Sequence, residues 1–271
     1  MKYIIVLSDG MAGNPLDALG GKTTMEAANT PMMDELSKES EIGMVSMVPD
    51  GMAPGSDTAN LAVMGYDPKV YYTGRSPLEA LSIGVDMEGT DVSFRCNFVT
   101  LTEEEHAYEE RTIIDHSSDE ISTEEAVILL KALEDGLVQK GLAKDSDGFY
   151  AGTSYRHLLV QKNGEVTELT PPHDILEKQI GNYLPKDDIL RNMMIASYEI
   201  LNHHPINEAR REKGLHPANS AWFWGAGKKP SLTSFEKRTG KKGVMVSAVD
   251  LLKGIAVGAG LKCVIVEGAN G

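Results

Sequence analysis

Cysteine is scarce, with Cys96 and Cys263 the only two among 271 residues. Both lie in apolar, strand-like runs, at no spacing that suits zinc, so buried free thiols of a reducing compartment are expected. Long apolar runs are missing as well. The stretch Met1 to Leu7 is too short for a signal peptide or a membrane span, which predicts a cytoplasmic protein. Positive charge is in deficit: 26 Lys and Arg face 40 Asp and Glu, a formal charge of −14. That argues against nucleic acid or an anionic membrane as partner, though a pocket can still be locally basic. Two catalytic signatures are also absent. Without Gly-x-Ser-x-Gly there is no α/β-hydrolase elbow, and without Gly-x-x-x-x-Gly-Lys-Ser/Thr there is no P-loop. No internal repeat or low-complexity segment occurs.

What is present is an ordinary globular composition, 41% apolar and 24% charged, long enough for one large domain or two smaller ones. The run Pro54 to Pro68 reads as a glycine-set turn that lifts Ser56 onto the first turn of a helix. Such a serine either caps the helix or meets an anion at its positive end. Tyr3 to Leu7 has the continuous apolar character of a parallel strand buried on both faces, and it ends at Ser8-Asp9-Gly10. Asp9 would then stand at the carboxyl end of that strand, where open α/β sheets place ligand groups, or in a plain turn. A serine needs a base or a metal to attack phosphorus, and a strand-end aspartate beside a helix-start serine suits a shared divalent ion.

Further elements follow in order. Thr30-Pro31 opens a helix over 32–39, and Ile42 to Val48 resembles a second strand. Lys22, in the loop before, is either an anion partner or a solvated lysine. Ser76-Pro77-Leu78-Glu79 spells a capping box, with a helix to about Gly84. Arg75 before it either grips an anion or holds the serine loop. Ser93 to Leu101 is a strand whose two-residue period puts Arg95 and Asn97 on one side, facing a cleft or solvent. Ser122 caps a helix to about Leu137, and 188–202 has helical period. Asn163-Gly164 predicts a hairpin joining 155–161 to 165–169. Val244 to Val246 and Cys263 to Val266 look like strands flanking a small-residue helix over 248–259. The order implies a βα start, an inserted α+β middle and a return to the first layer.

The chain resembles the archaeal-type 2,3-bisphosphoglycerate-independent phosphoglycerate mutases of the alkaline phosphatase superfamily. The stretches that carry the resemblance are Ser8 to Met11, Gly21 to Pro31, Pro54 to Pro68 and Thr73 to Ala80. Phe94 to Phe98, His204 to Asn207, Pro217 to Asn219 and Gly225 to Gly227 continue it. The resemblance implies an α/β fold: a partial, doubly wound phosphatase-like core over 1–90, an inserted α+β phosphotransferase lid over 91–262, and the start of a return over 263–271. It implies an isomerase of glycolysis that interconverts 3- and 2-phosphoglycerate through a phosphoserine at Ser56. Asp9 and Ser56 would share one of two Mn²⁺ or Mg²⁺ ions, with no 2,3-bisphosphoglycerate. Arg75, Arg95, Asn97, His157 and His173 would hold a small phosphorylated acid. Nothing in the residues speaks to oligomeric state.

Two departures stand out. The family carries arginine in the segment matching Asp115 to Ser118, and again before the glycine of Trp224-Gly225. Tryptophan and histidine do not replace a bidentate guanidinium, so an altered substrate pocket is expected. The Asn219 to Gly225 run is similar to a bacterial side branch proposed to act as a homoserine kinase, which makes a related phosphotransferase the alternative. The family's remaining metal ligands, Asp-x-x-x-His and Asp-His with a further His, match nothing here, since Asp115-His116 falls in the insert. A fragment that binds at most one divalent ion and turns over no 3-phosphoglycerate is therefore expected. A non-catalytic binding or dimerisation module is the reading from another class.

Overall fold

The computed structural model describes residues 1–8, 10–104 and 107–268, so Asp9 and residues 269–271 lie outside the described residues. The chain forms two compact units, Met1–Ser46 and Met47–Gly271. The first unit holds two short helices, α1 (Thr24–Ala27) and α2 (Pro31–Ser37). Thr23 and Glu26 close a reciprocal capping box on α1, and Pro31 sits at the start of α2.

Two expected strands are not formed. Residues 3–7 and 42–48 have no regular structure, and Ile4, Val6 and Ile42 are more than four-fifths exposed. A parallel strand is defined by a ladder along its edges, and neither run is part of a sheet among the described residues.

The second unit begins with helices α3 (Ser56–Val63), α4 (Pro68–Tyr71) and α5 (Ser76–Ser82). Next come β1 (Val92–Leu101), β2 (Ile113–Asp115), α6 (Thr123–Gln139), β3 (Gly148–Ala151) and β4 (Arg156–Gln161). Helices α7 (Asp188–Leu201) and α8 (Pro205–Glu212), strand β5 (Ser220–Lys228) and helix α9 (Phe235–Thr239) follow. Strand β6 (Val244–Met245), helix α10 (Asp250–Gly258) and strand β7 (Lys262–Cys263) end it, β6 and β7 pairing in parallel.

β1 is the centre of a five-stranded antiparallel sheet. β4 takes one edge of its 92–97 segment, β5 the other, β2 joins at Thr100 and Leu101, and β3 pairs beyond β4. All ten residues of β1 are buried, because helices cover both faces. Under α6 and α7 lies the main core, which includes Phe94, Cys96, Phe98, Leu129, Met193 and Phe223. On the other face α5 packs with Ala80 against Leu158 and Val160. A separate apolar cluster joins Leu61 and Leu78 to Leu251 and Ile255 of α10.

The hairpin expected at 155–169 is replaced by another pairing. β4 pairs with β3, which precedes it, and residues 165–169 form no strand. Both edges of β4 are already occupied, by β1 and β3, so a following strand finds no open ladder there. Asn163 does take the positive φ that the Asn-Gly signal calls for, at 53°.

Candidate active-site cleft

The local turn at Ser56 comes from Gly55, which takes the N-cap position of α3 with extended backbone. A Cβ on Gly55 would collide with the Asp57 carboxylate, so space rather than conformational freedom requires glycine here. Ser56 is therefore the first helical residue and its hydroxyl is not spent on capping; the side chain is exposed. Asp57 beneath it is buried and accepts from the Thr58 N–H at 2.8 Å and the Tyr72 hydroxyl at 2.8 Å. Burial, then the Asp57 carboxylate, push the Tyr72 phenol well above its ordinary range and keep it a donor.

A cleft of about 460 Å³ opens on the α5 side of the sheet. The pleat decides what reaches it. Arg95 and Asn97 of β1 stand opposite Leu158 and Arg156 of β4, and opposite Trp224 and Trp222 of β5. Of these, Arg95, Asn97, Arg156 and Trp224 line the cleft, joined by Arg75 and Glu79 from the start of α5. His116 and Tyr155 come from turns, His173 from a short 3₁₀ helix over Pro172–Asp174, and Asp250 from the start of α10.

Glu79 organises the basic side. Its carboxylate meets Arg75 Nε at 3.1 Å and Arg95 Nε at 2.9 Å. The Arg95 guanidinium also lies 4.1 Å above the Trp224 ring, a cation–π contact. Only 8% of the Arg95 side chain is exposed, and beyond Glu79 it makes no hydrogen bond among the described residues. Burial lowers the Arg95 pKa, with the Glu79 charge opposing. Trp224 in turn donates its indole N–H to Asn97 Oδ1 at 3.0 Å, while Asn97 Nδ2 donates to the His116 carbonyl at 3.3 Å. Asn97 thus spends both ends of its amide tying β5 and the turn after β2 to β1.

Ser76 and Glu79 do not form the capping box their spelling suggests. Ser76 is buried inside the first turn and donates to the Ser93 carbonyl at 2.8 Å. That leaves the Glu79 carboxylate free to bridge two arginines.

Of the residues expected to hold substrate, the structure brings Arg75, Arg95, Asn97 and His173 together. It does not bring His157. That residue faces Cys96 across the ladder, so it points to the α6 side against Phe98, its ring 4.8 Å away. Its Nδ1 accepts the Gly152 N–H at 3.3 Å, and burial pulls its pKa down to about 4, so the ring is neutral. Ser56 is not among the residues that line the cleft. Sequence reasoning missed Glu79, His116, Tyr155, Arg156 and Asp250 as cleft residues. The period-2 rule that found Arg95 and Asn97 extends to Arg156 once the register of β4 is known, and register is not written locally.

Metal ligands find little support among the described residues. Asp115, Asp119 and His216 bring ligand-type atoms within 4.8 Å of one another. Their lone pairs are engaged, however. Asp115 accepts from the Ser117 and Asp119 N–H groups at 2.8 and 2.6 Å, and His216 Nδ1 lies 3.2 Å from Asp119 and 3.4 Å from Asp115. Of the donor pair implied for a divalent ion, only Ser56 is described, and one hydroxyl does not make a metal site.

A family model described as 2,3-bisphosphoglycerate-independent phosphoglycerate mutase matches residues 37–207. The mutase of Methanosarcina barkeri is 48% identical over 276 aligned positions that cover all of this chain and 66% of the relative. The corresponding Methanosarcina mazei mutase is 46% identical with the same coverage. Among solved structures, a Pyrococcus horikoshii protein superposes with a TM-score of 0.72 at 30% identity, covering 96% of this chain and 60% of that one. A cofactor-independent phosphoglycerate mutase from Thermoplasma acidophilum gives 0.56 at 27%, covering 96% and 68%. The chain thus spans slightly under two thirds of the length of the Methanosarcina relatives. On this match, and on a mixed α/β fold shared with these structures, the chain belongs to the 2,3-bisphosphoglycerate-independent phosphoglycerate mutase family.

Proposed function

We propose that this chain belongs to a phosphoglycerate mutase that interconverts 3- and 2-phosphoglycerate, and that the cleft on β1 holds the anionic end of that substrate. Arg95 carries the reading. Its guanidinium is nearly buried, held at Nε by Glu79 and on its face by Trp224, and its remaining N–H groups are free to fork onto phosphate or carboxylate. Arg75 and Arg156 add two charges against Glu79 and Asp250, so the cleft is basic within an acidic protein.

Ser56 is the proposed phosphoryl carrier. Its hydroxyl stands at the N-terminus of α3, where the partial positive charge of the helix favours an incoming phosphoryl group. Asp9 and Ser56 are the proposed ligands of one of two Mn²⁺ or Mg²⁺ ions, which when bound would lower the pKa of the serine alcohol. The insert is proposed to span residues 91–262, and the single core shared by residues 92–226 supports the greater part of that range. The reaction belongs in the cytoplasm on this reading, and no helix among the described residues is long and apolar enough to cross a membrane.

The test uses the full-length protein and 3-phosphoglycerate with added Mn²⁺. Turnover with a phosphoserine peptide containing Ser56, and loss of both in Ser56→Ala, is the expected result. Undiminished turnover in Ser56→Ala would sink the assignment.

A further inference from the structure

The Ser56 side chain is exposed and its hydroxyl makes no hydrogen bond among the described residues, so its placement depends on the backbone beneath. That backbone is underlaid by polar groups. Asp57, Thr58 and Asn60 are each less than a tenth exposed. Asn60 Nδ2 donates to the Ser56 carbonyl at 2.8 Å. The Asp57 carboxylate folds back over Gly55, one oxygen accepting the Thr58 N–H and the other the Tyr72 hydroxyl. Asp57 forms no ion pair among the described residues. A buried carboxylate without a cation is costly, and its charge also offsets the positive end of α3. A neutral side chain would be easier to bury there, so stability alone does not account for Asp57.

Tyr72 is anchored in turn. It directly follows α4, and Thr73 after it donates its hydroxyl to the Lys228 carbonyl of β5 at 2.7 Å. Gly74, at φ 126°, lies so close to β5 that a Cβ would stand 2.6 Å from the Ala226 carbonyl oxygen. Arg75 then reaches the cleft. Residues 72–75 therefore hold the serine helix at one end, and β5 at the other. We propose that Asp57 and Tyr72 are positioning residues, which fix the Ser56 turn in register with the β5 side of the cleft. The inference rests on the reading of Ser56 as the phosphoryl carrier. A transfer in line needs the attacking oxygen about 3–3.5 Å from phosphorus, and a misplacement of about 1 Å costs up to about a hundredfold in rate. An untied hydroxyl on an exposed turn reaches that precision only if the turn itself is held. The Tyr72–Asp57 hydrogen bond is the link from that turn to the rest of the site.

Tyr72→Phe removes one hydroxyl and leaves the ring in place. In the full-length protein acting on 3-phosphoglycerate, it is expected to lower kcat about ten- to a hundredfold. KM should stay within about twofold, because the groups that grip the substrate are untouched. Asp57→Asn keeps the shape and can still bond Tyr72, so it should retain clearly more turnover than Asp57→Ala. Hydrogen exchange without substrate or metal gives a second readout. Tyr72→Phe should speed exchange of the Thr58 and Ala59 amides at least about tenfold and leave β1 unchanged. Wild-type kcat in Tyr72→Phe overturns the proposal and leaves Ser56 as the carrier. A kcat that falls only in step with the melting temperature, with exchange raised across the whole chain, marks a merely structural bond and also overturns it. Turnover that survives Ser56→Ala, or no turnover of 3-phosphoglycerate at all, overturns the carrier reading and the inference with it.

Discussion

Single residues set the character of the cleft. Arg95→Ala removes a charged fork whose hydrogen bonds contribute about 1.5–3 kcal/mol, and is expected to weaken sulfate binding by about ten- to a hundredfold. Arg95→Lys should recover only part of this, since lysine cannot be held by Glu79 while forking onto an anion. Glu79→Gln should have two opposite effects. It leaves Arg95 without its counterion and should lower stability by about 2 kcal/mol, yet it removes a negative charge from the site and should tighten sulfate. A melting series with sulfate distinguishes them: the variant melts lower without the anion and gains more from it. His157 governs a different property. Its pKa is pulled down to about 4 in the folded state, so its contribution is present above the unfolded value near 6.5 and is lost as pH falls toward 4. Urea titrations from pH 7 to 4 should show a loss approaching about 3 kcal/mol, part of which His157→Phe removes.

At the scale of elements, the long periodic segments were legible, and the short ones only in part. Ser122 caps α6 as spelled, and its partner Glu125 turns outward to meet Arg210 at 2.6 Å. α7 spans almost the predicted residues, and β6 and β7 flank α10 as expected. Ser76-Pro77-Leu78-Glu79 misled, because a capping signature is local while Glu79 is claimed by arginines from elsewhere. The residue pair Arg95 and Asn97 was legible from alternation alone. Which strands lie beside it was not, because antiparallel register is settled by the whole sheet. Packing between α5 and α10 makes a sharper demand. A Cβ on Gly254 would overlap the Leu78 carbonyl, which is backbone and cannot step aside. Gly254→Ala should cost at least about 2 kcal/mol in urea unfolding. Gly258→Ala meets only the tips of Leu81 and Leu232 and should cost less than about 1 kcal/mol.

For the whole molecule, the formal charge of −14 and the basic cleft make separable predictions. The chain should pass a cation exchanger at pH 7 unretained, yet sulfate should raise its melting temperature beyond chloride at matched ionic strength. Equal effects of the two salts would mean that no cleft selects the dianion. The apolar runs at 3–7 and 42–48 show where sequence outran structure. Their composition is that of parallel strands, and composition does not supply the neighbours that a strand needs.

Trp224 gives the cleft an optical property of its own. The protein has two indoles, and the other, Trp222, is fully buried and donates to the Thr170 carbonyl at 2.8 Å. Trp224 instead carries the Arg95 guanidinium on its face and lies in T-shaped contact with His173, so it stands beside the group proposed to receive the anion. Trp222→Phe would leave a protein whose indole fluorescence comes from the cleft alone, so occupancy could be followed by emission without a label.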